Sequence, residues 1–250
     1  MKKLFLLSVL LCVSVVQSVA DDEIQWTEIT VTALDNGSCV QNAIGTANLE
    51  SIENLRISGT INGYDFNILR NKMPNLHNLD MTDVDIVFNA YEYTSGSHSE
   101  NNIFGSYALS GVNSLYSVYL PKSISHVGDN AFSHCENLQS VFFQKGLESI
   151  GRYAFHGCYS LENAIFPPTL KVLDYGCFVG TGLKEIRIPS SVESISMDAF
   201  LVNSYGLTDV YVYTVEPMDY NSASRYGVND FSQATLHVPS TSFNNPKIRR

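Results

Sequence analysis

The feature that most constrains this chain is an internal period of 22 to 24 residues. The segment Leu115-Tyr-Ser-Val-Tyr-Leu120 returns as Leu138-Gln-Ser-Val-Phe-Phe143, Leu161-Glu-Asn-Ala-Ile-Phe166, Leu183-Lys-Glu-Ile-Arg-Ile188 and Leu207-Thr-Asp-Val-Tyr-Val212. Each copy is short, alternating, and β-branched or aromatic, which is the composition of a strand. A second set recurs in step. Ile124, Val127, Ala131, Phe132 and Cys135 return as Leu147, Ile150, Ala154, Phe155 and Cys158, then as Leu170, Leu173, Cys177 and Phe178, then as Val192, Ile195, Ala199 and Phe200. A fainter copy, Ile103, Ala108, Leu109 and Val112, precedes them. Pro121, Pro167 and Pro189 stand just past a strand in three units, where the missing N–H ends a ladder. No single unit of this size can bury its own apolar side, so neighbours must stack to share one core.

The expected architecture is an α/β solenoid, a right-handed superhelix with a parallel sheet on one face. The return path carries Phe132, Phe155, Phe178 and Phe200 inward as a stacked aromatic spine, through short irregular or 3-10 segments. The N-terminal part departs from this. Ile52 to Ile57 and Leu76 to Met81 fit the strand template, and between them Phe66, Leu69 and Met73 have helical spacing, stopped by Pro74. That predicts a helical return over 65–73. Residues 38–49 are expected to form a short helix capping the open end of the stack. The polar stretch 89–102 reads as a loop on the return side. The chain therefore divides into a leader (1–20), a cap with atypical repeats and the polar insertion (21–102), regular repeats (103–239) and a tail (240–250).

The leader has Lys2 and Lys3, an apolar run from Leu4 to Val16 that includes Cys12, and Ser18-Val19-Ala20 before Asp21. This is the pattern of a cleaved secretory signal, and the apolar run is short for a bilayer. The expected location is outside the cytoplasm: secreted, periplasmic or at the cell surface. No later stretch is apolar enough to span a membrane. Cys39, Cys135, Cys158 and Cys177 remain after cleavage. Cys135 and Cys158 hold the same position in adjacent units, and Cys177 stands where the others have Ala131, Ala154 and Ala199. Both are core positions, where a thiol packs as a small hydrophobe. Because stacked strands lie only ~4.8 Å apart, a Cys135–Cys158 bridge is the other option.

The formal net charge of −10 repels phosphate backbones and anionic lipid, which argues against nucleic-acid partners. Nucleophile-elbow, zinc-protease, Cys-x-x-Cys and phosphate-loop motifs are absent from the sequence, so neither an enzyme nor a cofactor is expected. His134 and His156 fall at corresponding places in neighbouring units but lack a carboxylate companion, and Asp80, Asp83 and Asp85 lack a calcium-loop spacing, so no metal is expected. The outward side of the sheet is more informative. With Val118 and Leu120 buried, alternation turns Ser117 and Tyr119 out. Followed along the stack, the middle outward position reads Arg56, Asp80, Tyr119, Phe142, Ile165, Arg187, Tyr211 and His237. Beside it run Asn54, Asn78, Ser117, Ser140, Asn163, Glu185 and Asp209. Tyr119, Phe142 and Ile165 make an apolar stripe that Arg187 and Tyr211 continue. These five are the candidate partner-binding residues, since aromatic and Arg side chains anchor interfaces. Cross-strand packing alone also favours aromatics there.

Residues 125–141, Ser-His-Val-Gly-Asp-Asn-Ala-Phe-Ser-His-Cys-Glu-Asn-Leu-Gln-Ser-Val, and 148–164, Glu-Ser-Ile-Gly-Arg-Tyr-Ala-Phe-His-Gly-Cys-Tyr-Ser-Leu-Glu-Asn-Ala, carry a specific signature. They resemble the BspA-like leucine-rich repeat family, with its Ile-Gly-x-x-Ala-Phe-x-x-Cys-x-x-Leu run followed by a strand and a proline. The likeness covers about 103–239. Leu55-Arg-Ile-Ser-Gly-Thr-Ile-Asn-Gly-x-Asp-Phe66 looks like the N-terminal leader segment of such proteins from Bacteroides-type bacteria. The resemblance implies an exported or cell-surface leucine-rich-repeat protein acting in adhesion, through a protein or glycan ligand such as a host matrix protein. It offers no catalytic residue to carry over. A structural, self-associating envelope component is the alternative use of the same face.

Overall fold

The structure is a computed structural model that describes residues 24–196, 198–200, 207–213, 219–221 and 235–237. The leader over 1–20, residues 238–239 and the tail over 240–250 lie outside the described residues. Six parallel strands form a front sheet in chain order: Thr27–Val31, Asn54–Ile61, Asn78–Ile86, Ser117–Tyr119, Ser140–Phe142 and Asn163–Ile165. A second front sheet continues the series with Glu185–Ile188, Asp209–Val212 and Thr235–His237. The division falls at the one unit whose length drops to 22 residues, between Leu161 and Leu183.

The returns are more regular than expected. Ile103–Phe104, His126–Val127, Ser149–Ile150, Val172–Leu173, Ser194–Ser196 and Asp219–Asn221 pair in parallel as a second sheet, which runs unbroken past the place where the front sheet divides. Between the two sheets four successive units each make a turn with two left-handed positions. Tyr107, Asn130, Tyr153 and Gly176 occupy the first at φ 57°, 56°, 53° and 62°; Gly111, His134, Gly157 and Gly180 occupy the second at φ 75°, 59°, 72° and 68°. Side chains other than Gly tolerate this region at a cost of about 1 kcal/mol each. The turns persist because their amides bond to the next unit: Asn130 N–H to Arg152 O at 2.8 Å, Phe132 N–H to Ala154 O at 2.8 Å and His134 N–H to His156 O at 2.7 Å.

Between the sheets lies one continuous core. The predicted spine is present: Phe132, Phe155, Phe178 and Phe200 stack with centroids 5.1, 5.1 and 5.6 Å apart and planes within 10° of parallel. It extends one ring further. Where the faint unit has Leu109 in place of the phenylalanine, Phe104 from the return strand supplies the ring, stacked on Phe132 at 4.9 Å. Cys39, Cys135, Cys158 and Cys177 are buried free thiols. Cys135 and Cys158 do not join each other. Each donates to a carbonyl one unit back, Cys135 Sγ to Leu109 O at 3.0 Å and Cys158 Sγ to Phe132 O at 3.1 Å. Burial pushes the Cys135 thiol up to about 12 and the Cys158 and Cys177 thiols well above the ordinary range.

At the N-terminal end, helix α1 (Cys39–Ile44) and a 3-10 segment (Thr46–Ser51) form the cap, and α2 (Gly63–Asn71) is the helical return. α2 begins two residues before the predicted start because Asn62 and Asp65 form a reciprocal capping box. Asp65 serves both helices: its buried carboxylate accepts from Asn62 N at 3.0 Å, Val40 N at 3.0 Å and Ser38 Oγ at 2.6 Å. A strand missed in the sequence, Thr27–Val31, precedes the cap and adds the first rung of the sheet. The stretch 89–102 is not a loop. Asn89–Thr94 and Ser97–Ser99 pair as an antiparallel hairpin. The hairpin is held down by a buried Tyr93 whose hydroxyl donates to Ser106 O at 2.9 Å, by a Tyr64–Tyr91 stack at 3.8 Å, and by Arg70 donating to Tyr93 O at 2.8 Å. The alternating Tyr91 and Tyr93 ahead of Gly96 were the signal for it.

Candidate sheet-face recognition site

The front strands pair so that outward residues fall in straight columns. Glu28 stands opposite Arg56, Arg56 opposite Asp80, Asp80 opposite Tyr119, Tyr119 opposite Phe142 and Phe142 opposite Ile165. On the second front sheet Arg187 stands opposite Tyr211, and Tyr211 opposite His237. The predicted column is therefore one surface feature, interrupted only between Ile165 and Arg187, where the sheets divide.

Its chemistry changes along its length. At the first end Arg56 is fully engaged. It pairs with Glu28 at 2.5 Å and Asp80 at 2.9 Å, and its guanidinium lies 4.9 Å from the centre of the Trp26 ring. Burial pushes the Asp80 carboxyl up, but hydrogen bonds from Thr82 and from Arg56 outweigh it and hold the group below the usual carboxylate range. In the middle, Tyr119 and Phe142 stack face to face at 4.1 Å. Phe142 stays 40% exposed and Ile165 77% exposed. Beyond the division, Arg187 lies 4.2 Å above the Tyr211 ring, and Tyr211 stacks on His237 at 4.1 Å. Arg187 also pairs with Glu185 at 2.5 Å and donates to the Tyr213 hydroxyl at 2.9 Å; the bond to Tyr213, then that to Glu185, raises its pKa.

The five predicted anchors thus form two groups. Tyr119, Phe142 and Ile165 are contiguous on the first front sheet; Arg187 and Tyr211 are paired with each other on the second. Two members of the same face were missed: Glu28 on the unanticipated first strand, and Trp26 just before it. The alternating run Thr27-Glu-Ile-Thr-Val31 could have pointed to them. His134 and His156 meet edge to face at 4.8 Å, and burial followed by the His134 charge lowers the pKa of His156. Among the described residues no group of three His, Cys, Asp or Glu side chains gathers to hold a metal ion.

Stacked parallel-strand units with an inward leucine ladder define a leucine-rich-repeat solenoid. The family model for the BspA type leucine rich repeat region matches residues 85–206 in six copies, so that segment is a BspA-type leucine-rich-repeat region. Among solved structures, it is similar to a leucine-rich repeat protein of T. pallidum, with 34% identity over 42% of this chain and 50% of that one, TM-score 0.41. It is also similar to the pneumococcal vaccine antigen PcpA, with 16% identity over 78% of this chain and 54% of that one, TM-score 0.40. A third is a leucine-rich cell surface protein of Faecalibacterium prausnitzii A2-165, with 15% identity over 78% and 45%, TM-score 0.35. The chain thus spans about half the length of these three proteins. A comparison with curated proteins finds no match. No helix among the described residues is long and apolar enough to cross a membrane.

Proposed function

We propose that this is an exported, non-enzymatic recognition protein that holds a protein partner on its outward sheet face. Tyr119, Phe142 and Ile165 are the apolar centre of the contact, and Arg187 and Tyr211 are its flank. The observation that carries this reading is the pair of adjacent rungs at Phe142 and Ile165, left 40% and 77% exposed in the middle of an otherwise polar face. Exposed apolar side chains rimmed by polar ones mark interaction sites. Support for export comes from the signal-like first 20 residues. Adhesion, to host matrix protein or to other cells, is the role the family resemblance suggests.

The test is a binding screen of the purified protein against immobilised extracellular matrix proteins, repeated with the triple variant Tyr119→Ala/Phe142→Ala/Tyr211→Ala. Loss of at least tenfold in affinity, about 1.4 kcal/mol, with an unchanged circular dichroism spectrum supports the sheet face as the site. Undiminished binding rejects it. Light scattering over a concentration series separates self-association: a mass that rises with concentration in the parent and not in the variant replaces the reading with an envelope assembly role.

A further inference from the structure

Where the front sheet divides, its outward face is hollowed. A cleft of about 620 Å³ opens there, lined by Gln139, Ser140, Tyr159, Asn163, Glu162 and Lys184. This volume is within the ~300–1,000 Å³ typical of small-ligand sites. The loop walls are brought close by Gly182: a Cβ there would stand 2.6 Å from the Tyr159 carbonyl oxygen. No larger residue fits at this approach unless the two loops part.

The cleft differs from the rest of the face in how its polar groups are used. Along the same outward column, Asn78 Nδ2 donates to Asn54 Oδ1 at 2.7 Å and Ser117 Oγ to Asn78 Oδ1 at 2.5 Å. At the far end Glu185 is taken by Arg187 and Asp209 by His237. Between these segments, Ser140 and Asn163 make no side-chain hydrogen bond among the described residues, and neither do Gln139 or the Tyr159 hydroxyl. Among the described residues Lys184 and Glu162 line the same cleft without an ion pair, whereas Lys171–Glu148 and Lys122–Asp83 close to 3.0 and 2.9 Å. Donors and acceptors without a side-chain partner among the described residues thus line this hollow in the sheet face, beside a Tyr159 ring that is 48% exposed.

We infer that this cleft binds a neutral saccharide. A sugar ring offers hydroxyls that both donate and accept, which suits two amides, hydroxyls, one carboxylate and one ammonium facing a single space. Its C–H face suits the electron-rich face of an exposed tyrosine. A charged ligand would meet one like charge, from either Glu162 or Lys184, as well as one opposite charge. The site is separate from the aromatic stripe and does not depend on a protein partner being held there.

The experiment is saturation-transfer NMR with isothermal titration of the full chain against maltotriose, cellotriose, mannotriose and triacetylchitotriose. At least one should show saturation transfer. Tyr159→Ala and Asn163→Ala should each weaken its binding at least tenfold, while Tyr159→Phe, which keeps the ring, and Tyr119→Ala, on the stripe, should bind within twofold of the parent. The cleft side chains are solvent-accessible, so the variants should melt as the parent does. Absence of transfer from all four sugars, or binding that survives both Tyr159→Ala and Asn163→Ala, overturns the inference. Neither result bears on the protein-binding stripe, which the triple variant tests.

Discussion

Phe142 and Phe155 are the same residue type thirteen positions apart, yet alternation and the repeat give them opposite fates. Phe155 is fully buried, with Phe132 and Phe178 each stacked on it at 5.1 Å and Phe143 edge-on at 5.8 Å. Replacing it by Ala removes the ring from a close-packed interior, and its flat neighbours are fixed by their own units and cannot close the gap. Such truncations cost about 3–5 kcal/mol. The spine is shared between units, so the loss also weakens coupling between adjacent repeats. Phe142→Ala removes a ring that is 40% exposed and leaves no cavity, because water replaces it. Its cost is that of two cross-strand pairs, with Tyr119 and Ile165, at roughly 0.2–1 kcal/mol each. The expected result is therefore about 4 kcal/mol for Phe155→Ala against about 1 kcal/mol for Phe142→Ala, read from urea unfolding followed by circular dichroism with a common slope. If Phe142→Ala costs as much as Phe155→Ala, the outward ring is a structural element and not a free anchor, and the case for the stripe as a recognition surface fails.

Gly59 has φ +98°, and a Cβ there would lie 2.0 Å from the backbone oxygen of Val31, its partner on the first strand. Gly59→Ala should cost about 2–4 kcal/mol and detach the Thr27–Val31 strand, seen as faster amide exchange at Ile29 and Val31. Burial lowers the pKa of His126, with Asp129, Asp174 and Glu100 opposing it only in part, and its Nδ1 lies 2.6 Å from Ser149 Oγ. A native pKa below the unfolded value near 6.5 means its contribution is complete above that pH and is lost as pH falls through the native value; His126→Gln should flatten the acid limb of a stability–pH curve. Cys135 carries the opposite sign. Its pKa is raised to about 12, so its contribution is full below about pH 8.5 and fades between there and 12. A thiol-exchange reagent at pH 8 should therefore leave Cys135, Cys158 and Cys177 unmodified until denaturant is added, and prompt reaction of the native protein would contradict the burial of these thiols.

Much of the fold was legible because the repeat is written in local spacing. Unit length, the two-residue alternation in each strand and the position of each phenylalanine are properties of short segments, and stacking multiplies them without changing them. That is why Phe132, Phe155, Phe178 and Phe200 could be placed in one spine, and Tyr119, Phe142 and Ile165 on one outward column. Alternation likewise fixed which side of each strand was core. The features missed depend on partners far along the chain. The first strand exists because Thr27 to Val31 pair with Leu55 to Gly59, and the hairpin at 89–99 because Tyr93, Arg70 and Ser106 hold it against α2. Phe104 enters the spine where its own unit has Leu109 in place of the phenylalanine, and it stacks on Phe132 of the next unit. The returns became a second sheet through bonds that no single unit contains. The break in the front sheet, and the cleft of unspent polar groups it opens, follows from how one 22-residue unit seats between its neighbours. A repeat sequence thus determines what each coil buries and what it shows to solvent. Where successive coils fail to register is decided only by tertiary packing, because register is an energy between units and not a property of one.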